Sequence, residues 1–116
     1  MRTIIAGSRS LGYPEICKAM AQCGWIPTVV VSGGATGSDK AGERWANERG
    51  IPVVVYPANW QRFGRSAGYV RNSVMADNAD ALVLSWDGVS KGSRNMAETA
   101  RRKGLKIYLF NVEAMQ

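Results

Sequence analysis

The chain has 116 residues, 46% of them apolar, and 15 Lys and Arg against 9 Asp and Glu, for a formal charge of +6. That length and composition describe one globular domain with apolar residues enough for its own core. The positive balance favours anionic partners such as nucleotides, nucleic acid or acidic surfaces.

There is no histidine, and Cys17 and Cys23 have neither the spacing of a CxxC redox pair nor companions for a metal cluster. Neither a metal nor a cofactor is expected. The opening MRTIIAGSRS turns polar after two isoleucines. No apolar run approaches the roughly 20 residues needed to cross a bilayer. A soluble, cytoplasmic protein without a membrane partner is expected.

In chain order, the β-branched run at residues 3–6 predicts a first strand, followed by the turn Gly7-Ser8-Arg9-Ser10. Residues 14–23 predict a helix, with Pro14 in its opening turn, Glu15 near its positive end and Gly24 behind it. A second strand at 28–31 runs into SGGATGSD, residues 32–39. The helix predicted at 39–49 stops at Gly50, with Pro52 beyond it. A third strand at 53–56 leads into PANWQRFGRS, residues 57–66, which reads as a long loop. A helix at 67–78, a strand at 81–86, the turn Asp87-Gly88-Val89-Ser90-Lys91-Gly92-Ser93, a helix at 93–103 and a strand at 106–110 complete the series.

The strand runs are continuously apolar rather than alternating, which suits strands covered on both faces. With a helix in every crossover, the pattern is a single α/β domain of Rossmann-like type. Its five-stranded, mostly parallel sheet has the expected order 3-2-1-4-5, with helices on both faces.

Ligands of such sheets bind outside the carboxyl ends of the strands, where the strand order reverses. The loops after strands one, two and four share a composition of glycine, hydroxyls and an occasional base. Glycine lets backbone amides approach a phosphate, and the helix N-terminus behind each loop adds partial positive charge. The amides of Gly33, Gly34 and Gly37, with Ser8, Arg9 and Ser38, form the expected phosphate-facing set, and Gly7, Ser10 and Ala35 are further ligand-binding candidates in the same loops. Arg71 is its main charge partner, beside Asn72, while Asp87, Gly88 and Ser93 close the other wall. Asp39 would repel a phosphate set directly over it but can accept hydrogen bonds from ribose hydroxyls. Neither GxxxxGK[ST] nor GxGxxG is present. No acidic residue falls between Glu48 and Asp77, where Arg49, Arg62, Arg65 and Arg71 lie.

TIIAGSRS, VVVSGGATGSDKAGERWANERGIPVVVYPANW and AGYVRNSVMADNADALVLSWDGVSKGSRNMAETARRKGLKIYLF together resemble the YspA-like branch of the SLOG superfamily. The resemblance implies a Rossmann-like domain that binds or processes a small nucleotide-derived ligand carrying phosphate and ribose, as a sensor or a weak enzyme. SLOG relatives often pair, so the resemblance also admits a homodimer.

Two better understood relatives add alternatives. LOG phosphoribohydrolases split nucleoside 5′-monophosphates with an arginine like Arg71 and a PGGxGTxxE loop. Here the stretch is WDGVSKGSRNMAE, with Met96 where the glutamate belongs. Glu98 lies two residues on, about 200° round a helix. Arg71 and Glu98 are the weak catalytic candidates of this alternative, with Asp39 or Asp87 as other carboxylates for a ribosyl bond. DprA, which handles single-stranded DNA, has an SGxAxGID loop similar to SGGATGSD. In that alternative Trp60, Phe63 and Tyr69, interleaved with Arg62 and Arg65, stack on unpaired bases.

Overall fold

The computed structural model describes residues 1–111. Five strands, β1 (Arg2–Gly7), β2 (Val29–Ser32), β3 (Val53–Val55), β4 (Ala81–Trp86) and β5 (Lys106–Asn111), form one sheet in the order β3-β2-β1-β4-β5. Every pairing is parallel, and Ile4 at the centre stands between Val31 and Leu82. The expected strand order therefore holds, with no antiparallel member among the described residues.

The crossovers carry α1 (Tyr13–Gln22), α2 (Ser38–Glu48), α3 (Trp60–Phe63), α4 (Ala67–Asp77) and α5 (Lys91–Arg102). On one face α1 and α2 pack Ile16, Met20, Trp45 and Ala46 over Ile5, Val30 and Val83. On the other, α4 and α5 pack Met75, Ala76, Met96 and Ala100 over Ile4, Val31, Leu82 and Leu84. Alternate residues of β1 and β4 thus enter different cores, which is why those strands read as unbroken apolar runs. Each buried Ile, Val, Leu or Met side chain contributes about 1.5–3 kcal/mol. Edge strands β3 and β5 are covered less completely, and Val54, Val55 and Leu109 stay exposed.

Two glycines set spacings that the local sequence does not announce. A Cβ on Gly42, in the middle of α2, would lie 2.6 Å from Ile5 Cγ2, so α2 rests on β1 closer than any side chain allows. Gly37 caps α2 with φ +76°, and a Cβ there would meet the Arg9 carbonyl at 2.2 Å.

The stretch 57–66 departs from the loop expected of it. Asn59 Oδ1 accepts the Arg62 amide at 3.0 Å and starts the single-turn helix α3, and a 3-10 turn at Gly64–Ser66 leads into α4. Proline, glycine and polar residues favour a loop on average, but one capping side chain is enough to close a turn. Helix α5 begins at Lys91 rather than Ser93, because Ser90 is the cap and its Oγ accepts the Ser93 amide at 3.4 Å. Among the described residues, no helix is long and apolar enough to cross a membrane.

Candidate functional site

Since all strands run the same way, the loops after β1, β2 and β4 meet at one edge of the sheet. Strand order reverses between β1 and β4, and the loops following them are tied directly. The Ser8 amide donates to the Ser85 carbonyl at 2.9 Å, and Ser8 Oγ accepts the Asp87 amide at 3.0 Å. On the other side, Ser38 donates from its hydroxyl to the Ser8 carbonyl at 2.8 Å and from its amide at 3.4 Å. Buried Ser8 and Ser38 thus knot three strand ends together. Asp87 belongs to the same knot, accepting the Val89 and Ser90 amides at 2.9 Å each and the Ser10 hydroxyl at 3.3 Å. The two backbone donors, Val89 first, hold its carboxyl below the usual carboxylate range.

Above this knot, a cleft of about 210 Å³ opens between the strand ends and helix α4. Of the residues singled out in the sequence, Gly7, Arg9, Ala35, Asp39, Arg71, Asn72 and Ser93 line it. Ser8, Ser10, Gly33, Gly34, Gly37, Ser38, Asp87 and Gly88 do not line it. The Gly34 amide donates to Ser32 Oγ at 3.1 Å, and the Ala35 amide to Asp39 Oδ2 at 3.1 Å. Glu98 lies outside the cleft on the exposed side of α5, paired with Arg94 at 3.5 Å.

Arg71 reaches the cleft from α4. Its Nη1 donates to the Gly33 carbonyl at 2.6 Å, and its Nε to Asn72 Oδ1 at 3.1 Å. Asn72 is fixed in turn, donating from Nδ2 to Asn95 Oδ1 at 3.0 Å and to the Gly92 carbonyl at 3.4 Å. Gly33 makes room for this arrangement. A Cβ there would stand 2.4 Å from Arg71 Nη1 and 2.8 Å from Asp39 Oδ2. Burial pushes the Arg71 guanidinium down from its usual value, while the nearby Asp39 charge partly restores it.

Asp39 is 6% exposed and sits in the first turn of α2. Burial pushes its carboxyl up to about 6, against the Ala35 hydrogen bond and the charges of Arg71 and Arg9, which favour ionisation. Among the described residues it is the only carboxylate in the lining, facing three arginines, Arg9, Arg65 and Arg71. The guanidinium groups of Arg9 and Arg65 have no hydrogen bond or ion pair among the described residues. Cationic donors therefore outnumber the acid in the lining, a charge balance that favours an anion over a cation.

Composition alone did not reach several lining residues. Gly68, Met75 and Met96 enter because α4 and α5 are laid across the strand ends, while Ser90 and Gly92 come from the glycine- and serine-containing stretch after β4, where α5 begins. Trp60, Arg65 and Tyr69 were singled out only as part of a nucleic-acid surface, and they too line the cleft.

The model of the YspA, cpYpsA-related SLOG family matches residues 1–63, from β1 through α3, so it includes Arg9, the SGGATGSD loop and Trp60. The Gene 61 protein of Mycobacterium phage D29 is 33% identical over 88 residues, which span 71% of this chain and 70% of that protein. No solved structure matches the chain. With more than half of its length covered by the family model and the glycine loops at the switch point of a 3-2-1-4-5 sheet, the chain belongs to the YspA, cpYpsA-related SLOG family.

Proposed function

We propose that the protein binds a small nucleotide-derived ligand, with phosphate and ribose, in the cleft at the carboxyl ends of β1, β2 and β4. The observation that carries this reading is the trio Arg9, Arg65 and Arg71 around a cleft whose only acid, among the described residues, is Asp39. Guanidinium groups pair with phosphate oxygens bidentately, and Arg9 and Arg65 keep their donors unspent. Asp39, able to accept from a ribose hydroxyl, suits the sugar better than the phosphate. Membership of the SLOG family supports the nucleotide class.

The test is a thermal-shift panel with AMP, ADP, ADP-ribose, NAD and a short oligothymidine. A ligand at about a hundred times its dissociation constant adds roughly 2.7 kcal/mol. The expected outcome is a shift with a small compound that is lost in Arg71→Ala and kept in Arg62→Ala. No shift with any mononucleotide or dinucleotide would refute the reading. If the cleft also turns its ligand over, Asp39 is the carboxylate to substitute, with released ribose 5-phosphate as the readout.

A second reading, binding of single-stranded nucleic acid, is favoured by the surface that continues beyond the cleft. Arg62 and Phe63 are exposed next to Trp60, with the Arg62 guanidinium 5.0 Å from the Phe63 ring centroid, and neither lines the cleft. This reading expects oligothymidine affinity that falls linearly on a log–log salt plot, with a shallower slope in Arg62→Ala.

A further inference from the structure

Three of the four tryptophans have structural work that accounts for them. Trp25 donates from Nε1 to Thr3 Oγ1 at 3.0 Å, and Trp86 from Nε1 to the Ser90 carbonyl at 3.1 Å. Trp45 is buried in the core between α1 and α2, with Arg49 over its ring at 4.5 Å. Trp60 differs from all of them. It stands on the cleft wall, 55% exposed, and its indole N–H has no hydrogen bond among the described residues.

Tyr69 repeats the pattern. Tyr13 and Tyr108 spend their hydroxyls on Glu48 and Gln22. Tyr69 is 47% exposed on the same wall as Trp60, with no such bond among the described residues. Large aromatic surface left in water beside a polar cleft is the unusual observation here, since buried aromatic rings contribute strongly to stability.

Between the two aromatics lies a residue without a side chain. The position a Cβ would take on Gly68 is 3.9 Å from Trp60 Cη2 and 4.0 Å from Arg71 Nη2. Gly68 thus leaves the indole and the guanidinium bordering one shared gap, within reach of a single mononucleotide. Arg65, on the turn that joins α3 to α4, lines the same cleft.

We propose that Trp60 and Tyr69 form an aromatic rim that stacks the base of a mononucleotide whose phosphate is held by Arg71 and Arg65. The proposal rests on the nucleotide reading above and adds to it which residues meet the base. It divides the ligand chemically: the aromatic rings of α3 and α4 hold the planar base, and the Arg71 and Arg65 guanidinium groups hold the charge. Stacking on an aromatic face tolerates any base, because every base has a π face. The rim therefore supplies affinity, while choice among bases falls to polar groups deeper in the cleft.

The experiment titrates the full chain calorimetrically with AMP and, separately, with ribose 5-phosphate, which has the charge and sugar but no base. In Trp60→Ala, AMP affinity is expected to fall at least about fivefold, the lower end of one base–aromatic stack. Ribose 5-phosphate affinity is expected to stay the same. Trp60→Phe keeps a ring and should retain most of the AMP affinity while losing the quenching of indole fluorescence that AMP produces in the native chain. Equal losses for the two compounds in Trp60→Ala, or no loss for either, would overturn the rim. Failure of the native chain to bind AMP while it still binds ribose 5-phosphate would also overturn the rim but leave phosphate capture standing. Failure to bind either compound would overturn the nucleotide reading with it.

Discussion

The substitution Asp39→Asn should make the unliganded protein more stable, and only where the native carboxylate is ionised. Folding moves this carboxyl from an ordinary value of 3.8 to about 6, burial being the dominant cause. A gap of that size corresponds to about 3 kcal/mol of preference for the protonated form. The sign follows from proton binding: between 3.8 and about 6 the folded state holds more protons at this group than the unfolded chain. Stability therefore falls as pH rises across that window, and the loss is complete above it. The carboxamide of the variant would keep a carbonyl for the Ala35 amide, now 3.1 Å from Oδ2, and would bring no charge. Its NH2 group needs an acceptor of its own, which offsets part of the gain, so about 1–3 kcal/mol is expected near pH 8. For a domain of this size that raises the melting temperature by roughly 4 °C per kcal/mol. The gap should shrink to well under about 1 kcal/mol near pH 4. Circular-dichroism melts of both chains at the two pH values measure it. A variant that is less stable near pH 8, or a gap that ignores pH, would show that attraction to Arg71 and Arg9 outweighs desolvation. If the expected gap is found, the protein holds a charge at a cost to its own stability, the behaviour of a group retained for what it binds.

Two other substitutions probe the scaffold and the site. Gly42→Ala gains up to about 1 kcal/mol of helix propensity but drives a methyl to within 2.6 Å of Ile5 Cγ2. Overpacking of a closed core costs about 1–3 kcal/mol, so a net loss of about 1–2 kcal/mol in urea unfolding is expected. An unchanged or raised midpoint would mean that α2 shifts freely on the sheet. Gly33→Ala puts a methyl against the Arg71 guanidinium and should displace it from the Gly33 carbonyl. A charged hydrogen bond contributes about 1.5–3 kcal/mol, so affinity for a nucleotide should fall about tenfold or more with the circular-dichroism spectrum preserved. Native affinity in this variant would remove Arg71 from the binding surface.

The sheet was legible from residues that act locally. Unbroken runs such as IIA, VVV and ALVLSW suit strands covered on both sides. Gly24, Gly50 and Gly104 mark the ends of the first, second and last long helices, each with a positive φ. Parallel strands and their short crossovers then left few possible orders, and the edge carrying three glycine-rich loops followed from strand direction alone. The α3 turn escaped notice because it depends on one capping side chain, Asn59, within a stretch of loop-like composition.

The division of labour among the loop residues was decided by tertiary structure. Ser8 and Ser38 looked like phosphate donors because a hydroxyl in a glycine loop has no visible partner in the sequence. Their partners come from other strands, the Asp87 amide 79 positions from Ser8 and the Ser8 carbonyl 30 positions from Ser38. Asp39 could be seen at a helix start, but its weakened acidity comes from burial, which no local pattern encodes. Trp60, Arg65 and Tyr69 join the cleft because α3 and α4 are folded over the strand ends. The fold and the edge at which the cleft opens were set by apolar periodicity and backbone stops, which act over a few residues and so can be read along the chain. Which side chains meet in the cleft, and which are consumed in holding it together, was set by contacts between segments far apart in the chain, and only the folded structure brings those into reach.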